Sequence, residues 1–206
     1  MNGQHKLLSR QLLNELELRW RERDAPILNR LNPGLADAEI DALTQPIAVE
    51  LPAEARLWWG WHDGVDMTQG SFAYEREVGP WWRILSLAEA VAEYQRCRTI
   101  SEDVERAARR PEPAWWHPSW FPIAHDPGVA ILACDCAVGP GDPTPIRRLT
   151  QPEGLPAPEP RVPSLGTLIA CWIEAFDRGV WARRTGGGWT IDESRWPPEW
   201  PRNGVV

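Results

Sequence analysis

Cys134-x-Cys136 puts two thiols on one side of a segment that reads as a strand, because side chains two apart share a strand face. His117 and His125 lie nearby in sequence, so the first chemistry to consider is a metal centre. Structural zinc usually takes a pair of cysteines spaced by about two to four residues, together with a second pair of ligands. No second pair accompanies this one, and Cys97 and Cys171 stand apart in apolar contexts. The four cysteines therefore read as buried free thiols, and no metal is expected. Asp63, Asp66, Glu75, Glu77, Asp126 and Asp135 could supply paired carboxylates for acid/base work. Spacing alone does not show that two of them converge, so they read as solvated loop charge. The chain has no Gly-x-Ser-x-Gly, no phosphate-binding glycine loop and no His-Glu-x-x-His. Gly186-Gly187-Gly188 reads as a turn. Neither a catalytic residue nor a cofactor is expected.

Tryptophan is the second chemical resource. There are 14, and three adjacent pairs occur: Trp58-Trp59, Trp81-Trp82 and Trp115-Trp116. Two neighbours on a strand face opposite ways, and on a helix they stand about 100° apart. Not every indole of a pair is expected to be buried, and exposed Trp is common on binding surfaces. Trp20, Trp61 and Trp172 lie on apolar helix faces and read as core. Trp59, Trp82 and Trp116 are the candidates for exposure. Indole faces also stack on sugar rings, which keeps a carbohydrate-binding or hydrolase reading open.

The elements that must position these groups follow from periodicity. Leu8, Leu12, Leu13, Leu16 and Trp20 form an apolar stripe over a helix between Leu7 and Arg23. Asn32-Pro33-Gly34 is a turn, and Ala36 to Thr44 a short helix. Leu51-Pro52 opens a third helix, with Pro52 at its first position and Asp63-Gly64 as its stop. Gly70 to Pro80 reads as a loop or short edge strand, and Trp82 to Leu85 as a strand. Ser86-Leu87-Ala88-Glu89 is a capping box for a helix that continues through Ser101 to Arg110, until Pro111-Glu112-Pro113.

Trp120 to Ala124, the turn Asp126-Pro127-Gly128, and the apolar run Val129 to Cys134 predict a hairpin in the middle of a sheet. Thr144 to Leu149 is a further strand, confined to an edge by Pro145. Gln151 to Pro163, with five prolines, is an extended loop. Ser164 caps a strongly apolar helix that Gly179 ends. The remaining tail is expected to wrap the domain. Helices before and after a cluster of strands, without βα alternation, argue for an α+β fold with a mostly antiparallel sheet.

Composition excludes some functions. Hydrophobic residues are 43% and charged residues 25%, which is ordinary for a globular domain. The net charge of −7 argues against non-specific nucleic-acid binding and suits a basic partner. No apolar run reaches the ~18 residues of a membrane span, and the N-terminus lacks a signal-peptide core, so a cytoplasmic location is expected. Lys6 is the single lysine among 22 basic residues, a bias that points to GC-rich coding.

Two stretches carry a resemblance. Trp116-x-Pro118-x-Trp120-Phe121-Pro122-Ile123-Ala124-x-Asp126-x-Gly128, followed by an apolar run ending in Asp135, resembles the signature of the SUKH superfamily. Asn32-Pro33-Gly34, then Leu51-Pro52, then Trp59-x-x-His62-x-Gly64, resembles its N-terminal half. Pro127 stands where the family has a glycine, and Asp63 where it commonly has Asn. That superfamily includes fungal cell-wall assembly regulators of Smi/Knr type and many bacterial toxin-immunity proteins. The resemblance implies one domain across 1–206, with its core about 27–182, and a final helix packed on the sheet. It also implies a non-catalytic protein-binding module, an immunity protein that neutralises a toxin, with a regulatory adaptor as the alternative. A basic toxin domain would meet acidic and aromatic contacts here. Those expected contacts are Trp59, His62, Asp63, Asp66, Trp82, Trp116 and Asp126.

Overall fold

The computed structural model describes residues 6–67, 73–108, 116–126, 129–139, 141–150, 162–185 and 187–198. The Pro111-Glu112-Pro113 stop, the Pro127-Gly128 turn, Trp115, Gly186 and most of the Gln151–Pro163 loop lie outside those residues.

Helix α1 is Arg10–Arg21, and the Ser9 hydroxyl accepts from the Leu12 N–H at its start. Its buried residues are Leu12, Leu13, Leu16 and Trp20, the expected stripe. Helix α2 is Asp37–Thr44, and α3 is Ala53–Trp61. Pro52 is the cap of α3 rather than its first residue, since its backbone is still extended. Gly64 then turns the chain at φ +67, and a Cβ there would lie 2.2 Å from the Ser86 nitrogen. Any other residue at this turn would meet both penalties.

Strand β1 is only Arg83–Ile84. Helix α4, Leu87–Ala108, follows with the expected capping box. The Glu89 N–H donates to the Ser86 hydroxyl at 3.2 Å, and the Ser86 N–H donates to the Glu89 carboxylate at 2.9 Å. The central hairpin is β2, Trp120–Asp126, and β3, Ala130–Asp135. Strand β4 is Ile146–Thr150. The sheet order is β1-β2-β3-β4, antiparallel throughout, so the hairpin is central and β4 an edge. The register shifts between Pro122 and Ala124, where Ile123 is the extra residue of a bulge.

Helix α5 is Leu165–Asp177, capped by Ser164 and ended at Gly179, whose φ is +67. Its principal partners are α1, α3 and the tail, while α4 is the helix that lies against β2. The tail contributes a structure that periodicity missed. Strand β5, Trp181–Arg183, pairs with β6, Trp189–Ile191, as a two-stranded sheet. Phe176 of α5 meets Trp181 edge-on at 5.1 Å and Trp189 at 5.3 Å, so the aromatics anchor this hairpin to the helix. The fold is α+β around one continuous core.

A buried carboxylate ties together three segments distant in sequence. Glu54 is 5% exposed, in the first turn of α3. It accepts three backbone N–H groups, from Leu8 at 2.6 Å, Thr144 at 2.5 Å and Gly166 at 3.0 Å. Gly166 leaves room for this approach, since a Cβ there would lie 2.3 Å from the Leu8 nitrogen. The sequence reading passed over Glu54, because an acid in a helix's first turn looks like a solvated charge complementing the helix dipole.

Candidate partner-binding surface

Three of the expected contact residues are core, which corrects their assignment to the surface. Trp59 is 0% exposed, and Trp82 and Trp116 are each 1% exposed. The Trp59 indole N–H donates to the Leu85 carbonyl at 3.1 Å, and its ring meets Phe121 of β2 at 5.5 Å. Trp58, its neighbour, is buried in the other direction, against Trp172 of α5 at 6.5 Å. Helix α3 is thus enclosed on more than one side, and the argument that one indole of a pair must be exposed fails there. Trp116 packs against Trp120 at 6.1 Å and Tyr94 at 6.5 Å.

Two further expected contacts are committed to the fold. The His62 Nδ1–H donates to the Asn32 carbonyl at 2.9 Å, and Nε2 faces Glu17 at 3.3 Å. The Asp63 carboxylate accepts the Leu87 N–H at 2.6 Å. Burial pushes the Asp63 carboxyl above its usual range, and the Leu87 hydrogen bond only partly opposes that. Asp66 and Asp126 are half-buried. The Asp66 N–H donates to the Arg30 carbonyl at 2.7 Å, and the Arg30 side chain pairs with Glu75 at 2.9 Å.

Among the described residues, the exposed indole is Trp81, at 48%. Its neighbour Trp82 points inward and Trp81 outward, although both precede β1. Its backbone is unusual: φ is +74, the left-handed region that a bulky residue avoids. The surrounding contacts account for this. Glu77 bridges to Arg83, and the Val78 N–H donates to the Trp82 carbonyl at 2.8 Å. Between them, Gly79 lies so close to the Trp181 ring that a Cβ would be 2.4 Å from it. A short loop held at both ends and pressed onto Trp181 must reverse over few residues, and Trp81 takes the strain. Such a conformation costs of order 1–3 kcal/mol and persists only where neighbours over-determine it.

Two carboxylates lie at this turn. Glu77 accepts the Trp81 N–H through its side chain. Burial first, then the nearby charge of Asp126, raises the Glu77 carboxyl above its ordinary range. Asp126 is itself raised by burial, against the pull of Arg148 and His125. Arg83 lies opposite His125 in the β1–β2 register and pairs with Glu89 at 2.8 Å. Burial lowers His125, so it favours the neutral form. Val129, 51% exposed, is the turn residue before β3, with its N–H on the Asp126 carbonyl at 3.0 Å. The surface therefore combines an exposed indole, an exposed valine and two carboxylates that hold protons more tightly than usual. Sequence reasoning named Asp126 here but missed Trp81 as the outward member of its pair. The signal was Gly79-Pro80 before it, which marks a reversal rather than a strand start.

A second polar cluster has the members of a hydrolytic triad in the wrong order. His117 Nδ1 lies 2.7 Å from the Ser119 hydroxyl, which reaches Asp135 at 2.8 Å. Nδ1 accepts the Ser119 backbone N–H at 3.2 Å. Serine stands between the base and the acid, so its proton is held by a carboxylate. Asp135 also accepts from the Ala137 N–H at 3.1 Å and from Arg147 at 2.9 Å. Burial alone would raise Asp135, but the Ser119, Ala137 and Arg147 hydrogen bonds outweigh it and hold the carboxyl below its usual range. An anion fixed beside the hydroxyl opposes alkoxide formation, and the same hydrogen bonds tie the residues of this corner together. Arg147 completes it by lying 4.7 Å over the Trp120 ring.

Among the described residues, no group of three or more His, Cys, Asp or Glu converges as metal ligands. No described helix is long and apolar enough to cross a membrane. No protein-family model matches the chain, and no curated protein matches it.

Proposed function

We propose that this chain is a non-catalytic protein-binding module whose contact surface is centred on Trp81, with Glu77, Asp126 and Val129 around it. The observation that carries this reading is the exposed indole held at φ +74 beside two carboxylates. An indole anchor with an acidic rim suits a basic protein surface: the aromatic supplies buried contact and the charges speed encounter and set register. The net charge of −7 works in the same direction. The SUKH-like pattern at Trp116 to Asp135 supports an immunity role, in which the module binds a cognate toxin in the cytoplasm and neutralises it. A regulatory adaptor of cell-wall assembly type is the alternative within the same class. An exposed indole beside two carboxylates also fits a sugar-binding or hydrolytic site, which is the reading from another class.

The test is affinity capture from the native host with the wild-type chain and with Trp81→Ala, followed by co-expression of the captured protein. The expected result is a basic protein held by wild type and lost by Trp81→Ala, whose toxicity the wild-type chain suppresses. A captured protein that Trp81→Ala holds equally well removes this surface from consideration. Binding of oligosaccharides without any protein partner would favour the other class.

A further inference from the structure

Cys134 and Cys136 are left over once the fold and the contact surface are accounted for. Their sulfurs lie 3.8 Å apart. Cys134 is fully buried at the end of β3, with its thiol donating to the Phe121 carbonyl at 3.3 Å. Cys136 is half-buried, one residue past the strand, with its N–H on the Ser119 carbonyl at 2.7 Å. Solvent therefore reaches one sulfur of the pair, and the chain leaves regular strand geometry between the two.

The other thiols offer a contrast. Cys97 is buried in α4 beside Glu93, and burial with that charge pushes its thiol up to about 12. Cys171 is buried in α5 and pushed up to about 11. Among the described residues, Cys134 and Cys136 are the only cysteines in sulfur–sulfur contact.

We propose that Cys134 and Cys136 form an oxidisable dithiol that closes to an intrachain disulfide under peroxide. The Cys136 thiolate attacks one peroxide oxygen. The O–O bond breaks, the leaving hydroxide takes a proton to become water, and Cys136 becomes a sulfenic acid. The Cys134 sulfur then attacks the sulfenic sulfur. An S–S bond forms, the S–O bond breaks, and the Cys134 proton leaves with the hydroxyl as a second water. Two thiols and one hydrogen peroxide give one disulfide and two waters. The sulfurs must close by about 1.8 Å from their 3.8 Å separation to reach the ~2.05 Å of a disulfide. Rotation at Cys136 and bending of the chain beyond β3 supply that movement. Asp135 lies inside the ring that forms, so closure reorients the carboxylate that Ser119, Ala137 and Arg147 now share.

The experiment treats the native full-length chain with excess hydrogen peroxide, denatures it, and alkylates the remaining thiols before mass analysis. The expected result is two alkylated cysteines of the four, with Cys134 and Cys136 unalkylated and their peptide lighter by two hydrogens. Dithiothreitol should restore both to alkylation. Cys136→Ser should leave all three remaining cysteines alkylated, and this change at the half-exposed position spares the buried sulfur that Cys134→Ser would remove. The proposal is overturned if all four cysteines are alkylated after peroxide. It is equally overturned if Cys136 gains oxygen without losing the Cys134 thiol, or if the lost thiols map to Cys97 or Cys171.

Discussion

The Asp63 carboxylate, just beyond the end of α3, accepts the backbone N–H of Leu87, the first residue of α4, at 2.6 Å. One short polar side chain just past one helix thus caps another 24 residues later. Asp63→Ala removes that acceptor and is expected to cost about 1 kcal/mol, as lost caps typically do. Asp63→Asn keeps an acceptor oxygen and is expected to cost less. Denaturant unfolding of both variants checks the order; equal loss would mean that the charge, not the hydrogen bond, matters here.

The two tryptophans at positions 81 and 82 are expected to respond in opposite ways. Trp82→Ala empties a fully buried site and should destabilise by about 3–5 kcal/mol. Trp81→Gly removes an exposed ring from a backbone that glycine adopts freely. It should melt at or above the wild-type temperature while losing partner affinity. A Trp81→Gly variant that melts well below wild type would show that the indole is structural.

The carboxylates of the contact surface should weaken the free protein as pH rises. Burial raises the Asp126 carboxyl in the folded state. A raised folded value means that its favourable contribution is complete below the unfolded value, near pH ~4, and is lost as pH climbs through the folded one. Asp126→Asn should therefore gain stability relative to wild type between acid and neutral pH, and lower the on-rate for a basic partner. Glu77→Gln should behave alike, since burial and Asp126 raise Glu77 as well. Unfolding free energies measured across that range check the sign. A difference that stays flat, or that shrinks with rising pH, contradicts it.

Much of this arrangement was open to reading from the chain. The stripe of α1, the Ser86–Glu89 box and the central hairpin follow from local rules that surrounding structure does not override. Trp59 and Glu54 were not legible for one shared reason. Both sit on α3, a helix of nine residues whose neighbours come from α1, α5 and β2. Periodicity reports one apolar face, and it has no term for a helix enclosed by partners distant in sequence. Trp81 was missed differently, because its exposure depends on Gly79 resting against Trp181, a contact across 102 residues.

Glu54 is expected to be the most sensitive polar position in the chain. Glu54→Ala strands the N–H groups of Leu8, Thr144 and Gly166, each at a cost of about 1–3 kcal/mol when buried without a partner. Loss of cooperative unfolding, followed by circular dichroism, is the expected outcome. A variant that unfolds near the wild-type midpoint would show that water replaces the carboxylate.

The same carboxylate also sets an order of events during synthesis. Its partner at Gly166 emerges 112 residues after it. At roughly 5–20 residues per second, that is about 6–22 s in which α1 and α3 exist without the helix that covers them. Throughout that interval the nascent chain carries the apolar stripe of α1 and an unanswered acid on α3. Native structure is thus withheld until α5 has emerged, and a product terminated before α5 is expected to remain a client for chaperones and proteases.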